Sequence, residues 1–186
     1  MVEAIRSAKI LPDIPSASVR DAWIKDFCVT TFLKEGYLDR FLFLRVVKPM
    51  PAIIRVQHAF DYDEAYLGGE FCSFLAKKFA AQQLYLASES WYAQISAEEG
   101  DAIKKGKAPK VQPRHDPNRR ESLFVFVEDP FRKPHLVMLT AEISRDAKGK
   151  PSLDPWSEAF EPGGGRLVQL LPPEAYIRPG ERMPQS

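Results

Sequence analysis

The chain has 186 residues, 45% hydrophobic and 27% charged, with a formal net charge of +1. That length and balance fit one soluble domain with its own core. The near-neutral charge excludes a global field drawing nucleic acid or an anionic membrane.

Residues 1–15 read as an irregular lead-in broken by Pro12 and Pro15, without the continuous apolar stretch of a leader. No run of about 18 apolar residues follows, so a cytoplasmic protein with no membrane partner is expected. Ser16 or Ser18 can cap a helix, with Asp21 three residues after Ser18 approximating a capping box. Ala22, Trp23, Asp26, Phe27, Thr30 and Leu33 follow at helical spacing, and Gly36 supplies a stop. Tyr37–Val47 is rich in Phe, Leu and Val; it fits a helix from Leu38 or a strand, and Pro49 and Pro51 end it.

Ala52–Gln57 looks like a short strand. Asp61 or Asp63 then caps a second helix, which Ala65, Phe71, Phe74, Leu75, Lys78 and Phe79 carry as far as Leu84. Gly68 and Gly69 weaken it by about 1 kcal/mol each relative to alanine. Cys28 and Cys72 fall on apolar helix faces and read as small buried thiols; two cysteines make neither a disulfide framework nor a standard zinc site alone.

A meander follows: Leu84–Ile95, Glu121–Glu128 and His135–Arg145, with a long basic loop over 96–120 and a tight turn over Asp129–Pro134. Asp146–Pro162 is turn-rich, Gly163–Gly165 punctuates, and Arg166–Leu171 can supply one more strand. Residues 172–186 hold four prolines and read as a loosely tethered tail. The expected architecture is a single α+β domain: an antiparallel sheet of three to five strands with two main helices packed on one face.

Strand phase carries the sharpest inference. Side chains alternate along a strand, so Tyr85, Ala87, Glu89, Trp91, Ala93 and Ile95 share one side. Glu121, Leu123, Val125 and Val127 share a side of the second strand, as do Val137, Leu139, Ala141, Ile143 and Arg145 on the third. Packed against helices, these faces put Glu89, Glu121 and Arg145 on one surface, and the turn at 129–134 predicts a rim ion pair between Glu121 and Arg145. A carboxylate among Tyr85, Ala87, Trp91 and Ala93 needs a partner or has a raised pKa. Arg119, Arg120 and Arg145 are the candidates. Glu89 then either fastens the loop to the sheet or acts as a pocket base or ligand anchor; a register slip of one residue would instead turn it to water.

Within the loop, Lys104, Lys105, Lys107, Lys110, Arg114, Arg119 and Arg120 stand against a single Asp116. Such a stretch can grip a phosphate backbone or an acidic partner. It offers no aromatic to stack a base, and Glu98, Glu99 and Asp101 partly cancel its field. A solvated excursion is the plainer reading, although loops beyond about 12–15 residues are commonly functional or disordered. Lys104, Lys105, Lys107, Lys110 and Arg114 are the expected contact residues.

His58, His115 and His135 lack helical ligand spacing, and no His-Glu-x-x-His, phosphate-cradling glycine loop, Gly-x-Ser-x-Gly elbow or dinucleotide fingerprint occurs. Glu128, Asp129 and Glu142 could bind Mg²⁺ for a nuclease-type reaction, but a strand-borne Asp and a Glu-x-Lys in the right order are missing; solvated strand ends explain them as well. No metal and no cofactor are expected.

Ser88-Glu89-Ser90-Trp91, followed by Pro117-Asn118-Arg119-Arg120-Glu121 and a short apolar strand, resembles a pattern of small uncharacterised bacterial and phage proteins. That pattern reads Ser-Glu-Ala-Trp, a variable loop, Pro-x-Arg-x-Glu, then a strand ending in an acidic residue. It spans residues 84–145 here, with Ser90 in place of the alanine. The resemblance implies no activity or cofactor; it implies that Glu89, Trp91, Arg119 and Glu121 form one structural unit, to which phase adds Arg145.

The leading functional expectation is a non-enzymatic binding or accessory protein that contacts a macromolecule, a protein rather than nucleic acid. The alternatives are nucleic-acid binding through 104–120, and an enzyme with Glu89 as base, Arg119 or Arg120 as anion anchor, and His115 nearby.

Overall fold

The computed structural model describes residues 16–46, 52–55, 65–92, 96–109, 116–160 and 170–177. Their elements are α1 (Ala17–Glu35), β1 (Phe41–Val46), β2 (Ala52–Arg55), α2 (Ala65–Lys78), β3 (Ala81–Tyr92), α3 (Ala97–Lys104), β4 (Arg120–Glu128), β5 (Leu136–Arg145), β6 (Pro151–Leu153), β7 (Ser157–Phe160) and a 3-10 turn, Pro173–Tyr176. The strands form one antiparallel sheet in the order β2-β1-β3-β4-β5-β6. β7 also pairs with β5, along Val137–Thr140. The α+β antiparallel architecture is therefore as expected. The sheet has seven strands rather than three to five, because the turn-rich stretch after Arg145 folds back twice onto β5. Among the described residues no helix is long and apolar enough to cross a membrane.

The two main helices do not share a face. Ile24, Cys28 and Phe32 of α1 pack with Phe43, Tyr85, Ala87, Leu123, Val125 and Leu139. Cys72, Leu75 and Ala76 of α2 pack with Leu42, Leu44, Leu84, Leu86 and Phe126, joined by Leu170, Leu171 and Ala175. The strand residues of the two clusters alternate in sequence, so they lie on opposite sides of the sheet. The physical reason is that Phe41–Leu44 of β1 and Leu84–Ala87 of β3 are apolar in both phases, and a strand segment buried on both faces reads as a continuous apolar run. Fully burying such side chains contributes about 1.5–3 kcal/mol each, so neither layer can be left wet.

Several local expectations are corrected. The buried line of α1 is Ile24, Cys28 and Phe32, with Arg20 and Asp21 in its first turns, while Ala22, Asp26, Thr30 and Leu33 face water. Cys28 is the residue that continues the stripe at four-residue spacing. Ser16 bonds the Ser18 hydroxyl and makes no side-chain cap, whereas Gly36, at φ 81°, closes the helix with its N–H on the Phe32 carbonyl. Phe41–Val46 resolves as strand. α2 stops at Lys78 rather than Leu84: Ala80 adopts φ 48° and reverses the chain into β3. The expected loop over 96–120 contains α3, held by a capping box between Ser96 and Glu99. Leu170 and Leu171 are not in a strand; Ala93–Ile95, His58, Lys110, Arg114 and His115 lie outside the described residues.

Candidate functional site at the Trp91 end of the sheet

Register builds the site. Glu89 lies opposite Leu123 and Trp91 opposite Glu121, while Glu121 lies opposite Ile143. Glu89, Glu121 and Arg145 are thus diagonal neighbours on the α1 face, within reach of long side chains. Arg145 donates from Nε to Glu121 Oε2 at 2.9 Å and from Nη2 to Oε1 at 2.5 Å. Its guanidinium lies 5.9 Å from the centre of the Phe32 ring.

Glu89 does not pair with arginine. Its carboxyl accepts the Leu38 N–H at Oε2, 3.0 Å away, and register sets it diagonally from Glu121. The Glu89 N–H in turn donates to the Leu38 carbonyl at 3.2 Å, so the α1–β1 turn is fastened to β3 twice. Burial pushes the Glu89 pKa up to about 7, helped by the neighbouring Glu121 carboxyl and opposed by Leu38 and Arg145. Glu121 is held below the usual carboxylate range, chiefly by its hydrogen bonds from Arg145.

The other arginines go elsewhere. The Arg119 guanidinium lies 4.8 Å from the centre of the Trp91 ring, at cation–π distance. Arg120 points to the α2 face, where its Nη1 donates to Glu142 at 3.1 and 3.3 Å and the Tyr92 hydroxyl donates to the same carboxylate at 3.1 Å. An enzyme needing Arg119 or Arg120 beside Glu89 does not find Arg120 there. Lys105 and Lys107 are exposed beyond α3, with the Lys105 ammonium 3.9 Å from Asp101, and Lys104 closes the helix.

Glu128, Asp129 and Glu142 separate completely. Glu128 is fully buried on the α2 face, accepting the N–H of Leu170 at 2.8 Å, that of Leu171 at 3.2 Å, and the Tyr176 hydroxyl. Asp129 belongs to a buried polar network that sequence reading missed. It accepts from Gln83 at 2.8 Å and lies 3.7 Å from Arg20, whose Nε donates to the Tyr85 hydroxyl at 3.3 Å. Burial pushes the Tyr85 pKa up to about 12. Arg132 joins Asp21, at 2.6 Å, to Glu158. The available signal was Gln83 and Tyr85 in one strand phase and Arg20-Asp21 on the α1 line set by Ile24 and Cys28.

No family model, no curated protein and no solved structure matches the chain.

Proposed function

We propose that this is a non-enzymatic binding protein whose contact surface is the sheet end carrying Trp91, and that its partner is another protein. The observation that carries this reading is Trp91 itself: a large aromatic, 36% exposed, lying under the Arg119 guanidinium. Interface hot spots are enriched in Trp, Tyr and Arg set on rigid support. The support here is the Glu89–Glu121–Arg145 row on the same face, with Trp91 directly opposite Glu121 across β3 and β4. Leu33 and Tyr37 add exposed apolar surface at the same end, because Leu38 is hydrogen-bonded to Glu89.

Charge favours a protein over nucleic acid. Arg120 is neutralised by Glu142, and acidic Glu98, Glu99 and Asp101 accompany Lys105 and Lys107. The test is affinity capture by the full chain and by its Trp91→Ala and Arg119→Ala variants, from the cells that make it, with and without nuclease. A protein retained by the wild type, lost with both folded variants and indifferent to nuclease supports the reading. Equal capture by all three opposes it; retention of nucleic acid alone, weakening steeply with salt, would transfer the function to the basic segment.

A further inference from the structure

We propose that Glu128 and the apolar α2 face around it form a binding site for the segment Leu170–Ile177, filled in cis by the chain's own segment and open in trans to that of a second copy. Glu128 is fully buried on β4, opposite Leu84 of β3 and two residues beyond Phe126. A carboxylate in such surroundings must be met by donors, since it can only accept. Among the described residues those donors all belong to the segment: the N–H of Leu170 at 2.8 Å, that of Leu171 at 3.2 Å, and the Tyr176 hydroxyl. Leu170 and Leu171, each 4% exposed, enter the apolar cluster of Leu42, Leu44, Leu84, Leu86 and Phe126. The Tyr176 ring meets that of His135 edge-on, with centres 6.0 Å apart.

The segment is held as a ligand is held, not as a strand. Its own backbone bonds close within it, from the Ala175 N–H to the Pro172 carbonyl and from the Ile177 N–H to the Glu174 carbonyl. The N–H groups of Leu170 and Leu171 go to a side chain rather than to a sheet ladder. Among the described residues no backbone–backbone hydrogen bond ties the segment to the sheet, so it can leave without opening the strands. Its departure strips Glu128 of donors and wets Leu84, Leu86 and Phe126. The vacated site therefore selects an occupant with two consecutive N–H groups, apolar side chains beside them and a hydroxyl a turn later. A second copy carries that occupant, and its segment repeats the same contacts with no new interface to build.

Concentration decides between the two arrangements. Residues 161–169 tether the segment to β7, and a short tether presents it to its own site at an effective concentration on the order of 1 mM. One hydrogen bond to a charged group strengthens binding roughly tenfold to a hundredfold. Held by even one, the segment binds in trans with a dissociation constant on the order of 10–100 µM. The wild type is closed on itself below about 1 mM, whereas a chain that cannot close takes a neighbour's segment at far lower concentration. This inference does not depend on the binding reading, because Glu128 lies at the opposite end of β4 from Glu121 and Trp91.

The test mixes two full-length variants that each lack one half. Glu128→Ala keeps the segment and loses the site; the double variant Leu170→Asp, Leu171→Asp keeps the site and loses the segment. In sedimentation velocity at about 100 µM each should be a monomer alone, and the equimolar mixture should form a one-to-one heterodimer. A mixture that stays monomeric up to about 1 mM, or either variant dimerising alone, overturns the proposal. Should a variant not fold, hydrogen exchange of the wild type decides. The Leu170 and Leu171 amides should then exchange at least about tenfold faster than those of Val125 and Val127 inside β4, and equal rates overturn the proposal.

Discussion

Glu121 and Arg145 meet by two parallel hydrogen bonds, one from Nε and one from Nη2, with the guanidinium resting on Phe32. The carboxylate is nearly buried, its side chain 9% exposed, whereas the arginine is 37% exposed. Truncating the arginine therefore does more than delete a surface ion pair: it leaves Glu121 beside Glu89 without its cation. Arg145→Ala should cost about 2 kcal/mol in urea unfolding at constant m-value. Arg145→Lys should fall between, since an ammonium cannot reproduce the fork. A loss within about 0.5 kcal/mol, the range of ordinary surface substitutions, would contradict this account.

The C-terminal segment hangs on one carboxylate. Glu128 accepts two consecutive backbone N–H groups and the Tyr176 hydroxyl. Glu128→Ala removes all three acceptor contacts and opens space under Leu170 and Leu171, so about 2–4 kcal/mol should be lost. Limited proteolysis should then cut near residue 170 before any site in the sheet. Tyr176→Phe should cost only about 1 kcal/mol. Wild-type resistance in Glu128→Ala would show that apolar packing alone holds the segment.

Both thiols should be silent. Cys28 and Cys72 are 0% and 1% exposed, and burial pushes their pKa values up to about 12 and 11. A thiol-specific reagent at pH 8 should label neither in the native protein and both in denaturant. Rapid native labelling would place one of them outside its core cluster.

Acid should weaken the protein through Glu121. Its folded pKa lies below the ordinary value of 4.5, so its contribution is present above that value and lost as pH falls through the folded one. Glu121→Gln should flatten this acid limb in denaturation followed by circular dichroism between pH 2 and 5. An unchanged acid limb would assign the loss to other carboxylates.

How far the sequence disclosed the molecule depends on how local the signal is. Period-two alternation located β3, β4 and β5 to within a few residues and put Glu89, Glu121 and Arg145 on one side of the sheet. Alternation cannot say which carboxylate takes the arginine; that follows from the diagonal offset between strands, a property of register. Strand β1 was ambiguous because Phe41–Leu44 is apolar in both phases, and the same two-sided burial put α1 and α2 on opposite faces. Helix α3 is legible in its Ser96–Glu99 capping box, although the lysines that follow carry the composition of a solvated loop. The network of Arg20, Gln83, Tyr85 and Asp129 is legible only in its halves, Gln83 with Tyr85 in one strand phase and Arg20 on the Ile24–Cys28 line, because the contacts that join them lie far apart in sequence.

The most direct test of the central claim places a photo-cross-linking residue at Tyr37, 48% exposed beside the Trp91 end, and separately at Val19, 53% exposed at the other end of α1. Arg20, next to Val19, faces Asp129, which lies at the opposite end of β4 from Glu121. Irradiated in living cells, the position-37 protein should yield a discrete adduct with another protein that Trp91→Ala abolishes, and the position-19 protein should not. Equal adducts from both positions, or a position-37 adduct that survives Trp91→Ala, would contradict the assignment of the Trp91 end as the binding surface.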